Sequence, residues 1–276
     1  MLRHRVATAF VLLGLVLGAV FGLPSIGFRV FLALVIGCAI WEWAALAGLS
    51  GNLARSAYLV SCLVLMLVIG QYAFLYEATL LAGLAFWLLA LAWICIYPRG
   101  QSAWGNDNVL RLIGLLLFVP GWLGFIDLRE QGNYIFHLLL LPALVSAADI
   151  GAYFSGRAFG RHKLAPQVSP NKTWEGVFGG MLACALLIVV VGWLGIRQVT
   201  SLAPVQWMLL VGAALVIAVF SVIGDLFESM VKRFRNVKDS GNLLPGHGGV
   251  LDRIDGLTAA APLYALLLNM LEPVLA

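Results

Sequence analysis

Long apolar stretches alternate with short polar breaks along nearly the whole chain. Runs of about 20 apolar residues recur at 6–23, 28–48, 57–76, 79–97, 109–126, 133–154, 175–196, 206–224 and 256–275, the length a helix needs to cross a hydrocarbon core of roughly 30 Å. The pattern predicts an all-α, polytopic integral membrane bundle of about nine transmembrane helices. The short alternating segments of a membrane β-barrel are not visible. The basic start MLRHR followed by an apolar run has the outline of a secretory signal. The run is long and has no clear small-x-small cleavage site, so it reads as a retained first helix.

Composition agrees. The 276 residues are 62% hydrophobic and 11% charged, with a mean hydropathy of +0.98, against about 25% charged residues in soluble domains. Charge placement then predicts orientation, because Lys and Arg collect in cytoplasmic loops. With the amino terminus cytoplasmic, all but Arg29, Arg129 and Arg197 of the 17 Lys and Arg face inward. The net charge of +4 is accounted for by loops beside anionic lipid, and nucleic-acid binding is not needed. Cys38, Cys62, Cys95 and Cys184 lie within apolar runs, at spacings that suit neither a metal site nor a disulfide framework.

Polar chemistry is uneven. Residues 1–130 hold transmembrane helices with little of it; Glu42, in AIWEWAAL, is one ionisable group, and packing or snorkelling explains it as well as function does. Residues 131–276 form the expected catalytic region, with cytoplasmic loops at 155–174 and 225–255. Three clusters stand out there. In the first, Asp149 is an intramembrane carboxylate, and Ser169, Lys172 and Thr173 precede a helix start. Hydroxyls, an ammonium and free N–H groups at such a start suit an anion. In the second, Asp225, Glu228, Ser229 and Lys232 are spaced i, i+3, i+4, i+7, which places them on one helix face; Arg233, Arg235 and Lys238 follow.

The third cluster is DSGNLLPGHGGVLDRIDG, residues 239–256. Its glycines, Gly248 and Gly249 among them, let backbone approach a ligand closely. Asp252 and Asp255 then share a face of the turn beginning the last span. Paired carboxylates near cations suit Mg²⁺, which takes one or two carboxylates and completes its shell with phosphate oxygens. Three roles stay open for His247: general acid/base, phosphate ligand, or the residue that holds the glycine turn.

The run from Ser229 to Asp255, written Ser229-x-Val231-Lys232-Arg233, then Lys238-Asp239-x-Gly241-x-x-Leu244-Pro245-x-His247-Gly248-Gly249-x-x-Asp252-Arg253-x-Asp255, resembles the motif of the phosphatidate cytidylyltransferases. Ser169-Pro170-x-Lys172-Thr173-Trp174-Glu175-Gly176 is similar to a second segment of that family. The resemblance implies transfer of a cytidylyl group from CTP to phosphatidate with Mg²⁺, giving CDP-diacylglycerol and pyrophosphate for phospholipid synthesis. It implies a bacterial inner-membrane enzyme whose active site faces the cytoplasm. The substrates CTP and phosphatidate, membrane lipid and a second copy of the chain are the expected partners. Asp225, Asp252 and Asp255 become the expected metal ligands, with Asp149 a weaker candidate. Ser169, Lys172, Thr173, Lys232, Arg233, Lys238, Gly248, Gly249 and Arg253 become the expected substrate contacts. Asp225, Asp252, Asp255, Lys232 and His247 are the expected catalytic set. Two rivals fit less well. The CDP-alcohol phosphotransferase pattern is absent, and a transporter would place its carboxylates nearer the bilayer midplane.

Overall fold

The computed structural model describes residues 2–196 and 203–275; Arg197, and the side chains of Arg3 and Arg5, lie outside this description. Apart from connecting loops, the described chain is helical except for one small hairpin. Its elements run α1 (Leu2–Gly22), α2 (Ser25–Leu46), α3 (Asn52–Ile69), α4 (Ala73–Ile96), the short α5 (Gln101–Trp104), α6 (Asp107–Glu130), α7 (Tyr134–Phe159), β1 (Lys163–Ala165), β2 (Ser169–Thr173), α8 (Trp174–Ile196), α9 (Pro204–Phe234) and α10 (Leu251–Leu275). Among the described residues, eight helices are long and apolar enough to cross a membrane, namely α2, α3, α4 and α6 to α10. The apolar part of α1, Val6–Gly22, is shorter and stands at the low end of the roughly 17–25 residues a span requires.

Three boundaries differ from the hydropathy pattern, and each difference shapes the site. Helix α9 runs on to Phe234 instead of ending near 224. Its 31 residues extend about 46 Å at 1.5 Å per residue, well beyond the apolar core, so Asp225 to Arg233 are helical rather than loop. Helix α10 begins at Leu251, which puts Asp252 and Asp255 inside its first two turns. The expected loop 155–174 is partly the end of α7 and partly the hairpin, whose strands pair antiparallel with Lys163 opposite Thr173 and Ala165 opposite Ser169.

Small residues bring the helices together. Lipid tails are as apolar as leucine, so close backbone packing rather than hydrophobic transfer drives association here. A Cβ on Gly180 of α8 would stand 2.6 Å from the carbonyl of Ala148 on α7, and one on Gly224 of α9 would stand 2.5 Å from that of Asp255 on α10. The second crossing sits directly beside the acidic residues of both helices.

An aromatic cluster then ties the amino-terminal helices to α9. Trp43 of α2 stacks on Phe227, with ring centroids 6.3 Å apart, and Phe86 of α4 meets the same ring edge-on at 5.4 Å. The Trp43 indole N–H donates to the carbonyl of Leu110 in α6, 2.9 Å away.

Candidate functional site

The site forms where α9 ends and α10 begins. On α9, one turn of helix separates Glu228 from Lys232, and the ammonium bridges two carboxylates: Nζ lies 2.7 Å from Glu228 Oε2 and 2.5 Å from Asp252 Oδ1 on α10. These side chains are 11%, 4% and 7% exposed, so the triad is shielded from water. A charge in such surroundings persists only when paired and hydrogen-bonded.

Asp252 is fully engaged. Its Oδ2 accepts from the backbone N–H of Ser240 at 3.0 Å and of Gly249 at 2.8 Å, and lies 3.0 Å from the Ser240 hydroxyl. Asp225 is held by Lys172 of β2, Nζ to Oδ2 2.6 Å, and accepts from the Ser229 hydroxyl at 3.2 Å. The hairpin thus carries a cation onto the α9 face. Asp255 takes the N–H of Gly256 at 2.8 Å and lies in electrostatic reach of Asp225, Glu228 and Lys232. Asp149 of α7 senses Asp225, Lys172 and Arg253, so the intramembrane carboxylate belongs to the same charged neighbourhood.

The loop between the two helices closes by backbone hydrogen bonds. Leu244 N–H donates to Gly248 O and His247 N–H to Leu244 O, both at 2.9 Å. Gly246 and Gly248 adopt φ of 78° and 85°, a region open to glycine at little cost. Of the three roles for His247, the turn is carried by its main chain, whose carbonyl also accepts from Arg253 at 2.9 Å. The imidazole Nδ1 is buried and has no hydrogen-bond partner among the described residues. This loop and Arg253 line a polar hollow of about 540 Å³, with Lys238, Asp239, Asn242 and His247 on its walls.

Some expected contacts point elsewhere. The Thr173 hydroxyl accepts the N–H of Gly176 at 3.2 Å and is buried, so in this arrangement it caps the start of α8. Arg233 Nε donates to Val168 O at 3.4 Å, which ties α9 to the hairpin. Ser169 is half-buried in β2 opposite Ala165.

Two site residues received no role from sequence. Glu42, buried on α2, accepts the N–H of Val250 at 3.1 Å and of Leu251 at 2.8 Å. It also lies 3.2 Å from the Ser240 hydroxyl, which has one hydrogen to share between Glu42 and Asp252. Glu42 therefore fixes the first turn of α10. The signal was there, since an ionisable residue inside a span marks a functional position by default. Ser240 itself carried no sequence signal; its neighbours made it legible only in three dimensions.

The comparisons with known proteins bear on this geometry. The family model described as "Cytidylyltransferase family" matches residues 3–271. The chain belongs to the cytidylyltransferase family. It is 45% identical over 268 residues to a phosphatidate cytidylyltransferase of Pseudomonas aeruginosa, covering 97% of both chains. A relative of the same name from Haemophilus influenzae is 37% identical over 290 residues, covering 96% of this chain and 98% of its own. One from Brucella suis is 39% identical over 272 residues, covering 96% and 92%. The family motif resemblance in the sequence is thus matched by similarity over nearly the whole chain.

Whether the residues suit the divalent cation implied by that resemblance can be tested on the donor set. Among the described residues no three Asp, Glu, His or Cys side chains stand as a ready-made cage. The set nonetheless fits a cation that borrows part of its shell from phosphate. Asp225 offers it Oδ1, which takes the Ser229 hydroxyl at 3.2 Å, on a side chain 37% exposed, with Asp255 in electrostatic reach.

Proposed function

We propose that this cytidylyltransferase-family chain joins CTP and phosphatidate to give CDP-diacylglycerol and pyrophosphate, at the cytoplasmic face of a bacterial inner membrane. The observation that carries the reading is the pairing of Lys172 with Asp225 and of Lys232 with Asp252 beside a polar hollow at one end of an otherwise apolar bundle. One substrate is water-soluble and the other a lipid, so their reaction belongs at such an interface. The amino-terminal end shares that face: the Thr8 hydroxyl of α1 donates to Pro245 O at 3.2 Å.

In the proposed reaction a phosphate oxygen of phosphatidate attacks the α-phosphorus of CTP in line. The bond from that phosphorus to the bridging oxygen of the β-phosphate breaks, and pyrophosphate leaves. A phosphate monoester is already an anionic nucleophile, so no general base is required. The protein's task is to position the reactants and offset charge. The hollow formed by Lys238, Asn242, His247, Gly248 and Arg253 takes the nucleotide, whereas Gly249 leaves room for Ser240 and Glu42 instead. Lys172 and Lys232 orient phosphate oxygens. Asp225 and Asp255 would hold Mg²⁺, with Asp252 joining once Lys232 moves to a phosphate oxygen; the ion would screen the triphosphate and stabilise the leaving group. Asp149 and Glu228 flank this group on α7 and α9. The carboxyl-terminal region, 131–276, supplies this chemistry, with Glu42 reaching in from the amino-terminal helices.

The test uses purified full-length chain with phosphatidate, Mg²⁺ and CTP labelled at the α-phosphorus, followed by organic extraction. Label in the lipid phase, lost on adding EDTA, supports the reading. Label that stays in the aqueous phase with folded protein overturns it.

A further inference from the structure

A second cavity, separate from the polar hollow, lies between α1, α2, α6, α7 and α10. It measures about 170 Å³, and its walls are apolar, among them Val20, Val35, Gly121, Phe125 and Leu257. The one side-chain hydroxyl in the lining, Thr258 Oγ1, is already donated to Asp255 O at 2.7 Å. Nothing there recruits water, since an apolar cavity of roughly 150 Å³ stays dry and takes an apolar guest instead.

The position of the cavity relates it to the site. Leu257 and Thr258 follow Asp252 by five and six residues on α10, which sets them about 8–9 Å along the helix axis. Pro142, also in the lining, precedes Asp149 by seven residues on α7, and Val35 precedes Glu42 by seven on α2. Both offsets are about 10 Å. Three helices that carry polar site residues at one end therefore line the same cavity, which runs on past these positions to Phe28, fourteen residues or about 21 Å before Glu42 on α2. Ile254, at its rim, lies between Arg253 and Asp255 in sequence.

We infer that this cavity receives a segment of an acyl chain of the phosphatidate substrate, entering while the phosphate lies at the polar end of α10, and that its shape sets acyl selectivity. The inference rests on the proposed reaction. A helix of a second copy, about 10–12 Å across, is too wide for the space. Burial from a lipid bilayer brings little transfer energy, because the surrounding tails are as apolar as the walls. Selectivity then comes from steric fit, and filling the space penalises long or kinked chains most.

The experiment offers an equimolar mixture of dioleoyl- and dioctanoyl-phosphatidate with CTP and Mg²⁺ to the full-length chain, and reads the lipid products by mass spectrometry. Val35→Phe projects a ring into the cavity from a half-buried position two turns from Glu42. The ratio of kcat/KM for dioleoyl over dioctanoyl substrate is expected to fall about tenfold, the scale of one misfitting group in an apolar pocket. An unchanged ratio in an active Val35→Phe variant overturns the inference and leaves the reaction standing. No lipid product from the unsubstituted chain with either substrate overturns the reaction and the inference together. A second measurement needs no variant: phosphatidate with a diazirine near the middle of one chain is photolysed on the wild-type protein. Labelling of Val35, Phe125 or Leu257 supports the assignment, whereas labelling confined to exposed positions such as Val30 and Leu34 overturns it.

Discussion

The carboxylate of Glu42, near the end of α2, accepts the backbone N–H of Leu251, 2.8 Å away, at the first residue of α10. Early N–H groups of a helix have no partner within it, and here a buried acid 209 residues away in the chain supplies one. The same side chain takes Val250 N–H. Asp252 is presented to Lys232 only while this turn holds.

Glu42→Ala is expected to leave two buried donors without partners, at a cost of about 1–3 kcal/mol each. Turnover should fall at least about tenfold, the rate equivalent of 1.4 kcal/mol. Glu42→Gln keeps one acceptor oxygen and should retain more activity and more thermal stability than Glu42→Ala. Unfolding curves and kcat for the two variants check the order; equal behaviour of Ala, Gln and wild type would remove the positioning role.

Lys232→Met strands Glu228 and Asp252 with no countercharge. Removing one partner from a buried ion pair costs about 3–5 kcal/mol, so a large loss of thermal stability is expected. Adding Glu228→Gln should recover part of that stability, because one unpaired charge disappears, without restoring turnover. A double-mutant cycle on unfolding and on activity separates the two effects.

Lys172 and Asp225 make a partly exposed pair, so its contribution to stability is small. Lys172→Ala should leave the fold intact and raise the KM for CTP. Asp225→Asn should also fold, yet lose turnover by about 10²-fold or more, the scale set for a group that stabilises transferring charge, and shift the Mg²⁺ concentration needed for half-maximal rate. Titration of each variant with CTP and Mg²⁺ discriminates these roles.

His247 and Gly248 should behave oppositely. The main chain of residue 247 carries the turn, so His247→Ala is expected to keep the melting temperature, and any loss of rate reports imidazole chemistry. Gly248→Ala is expected to lower stability by about 1–3 kcal/mol, the cost of a strained backbone. Its φ is 85°, and a Cβ there would stand 2.8 Å from Asp252 Oδ2. Differential scanning of both variants beside their kcat values tests the contrast.

Much of this was legible in the order of residues. Hydrophobic run lengths show up directly as helices, because in lipid a backbone must satisfy its own hydrogen bonds. The i, i+3, i+4, i+7 spacing places Asp225, Glu228, Ser229 and Lys232 on one face, and α9 is indeed helical there. Element ends were harder to read. Hydropathy falls where α9 turns polar, but a helix continues as long as packing and local propensity support it, and so Asp225 to Arg233 belong to it. The hairpin at 163–173 also escaped, since a three-residue strand carries almost no periodicity.

Sequence by itself determined the bundle, the family motif and the gathering of charge in the carboxyl-terminal half, because these depend on composition and local period. Only the tertiary structure decided which charges meet. Lys232 reaches Asp252 across twenty residues, Lys172 reaches Asp225 from a hairpin, and Glu42 reaches α10 from the far end of the chain. Those distances are set by helix crossings at small residues such as Gly224, whose closeness is a property of two packed surfaces and is written in neither strand of sequence alone.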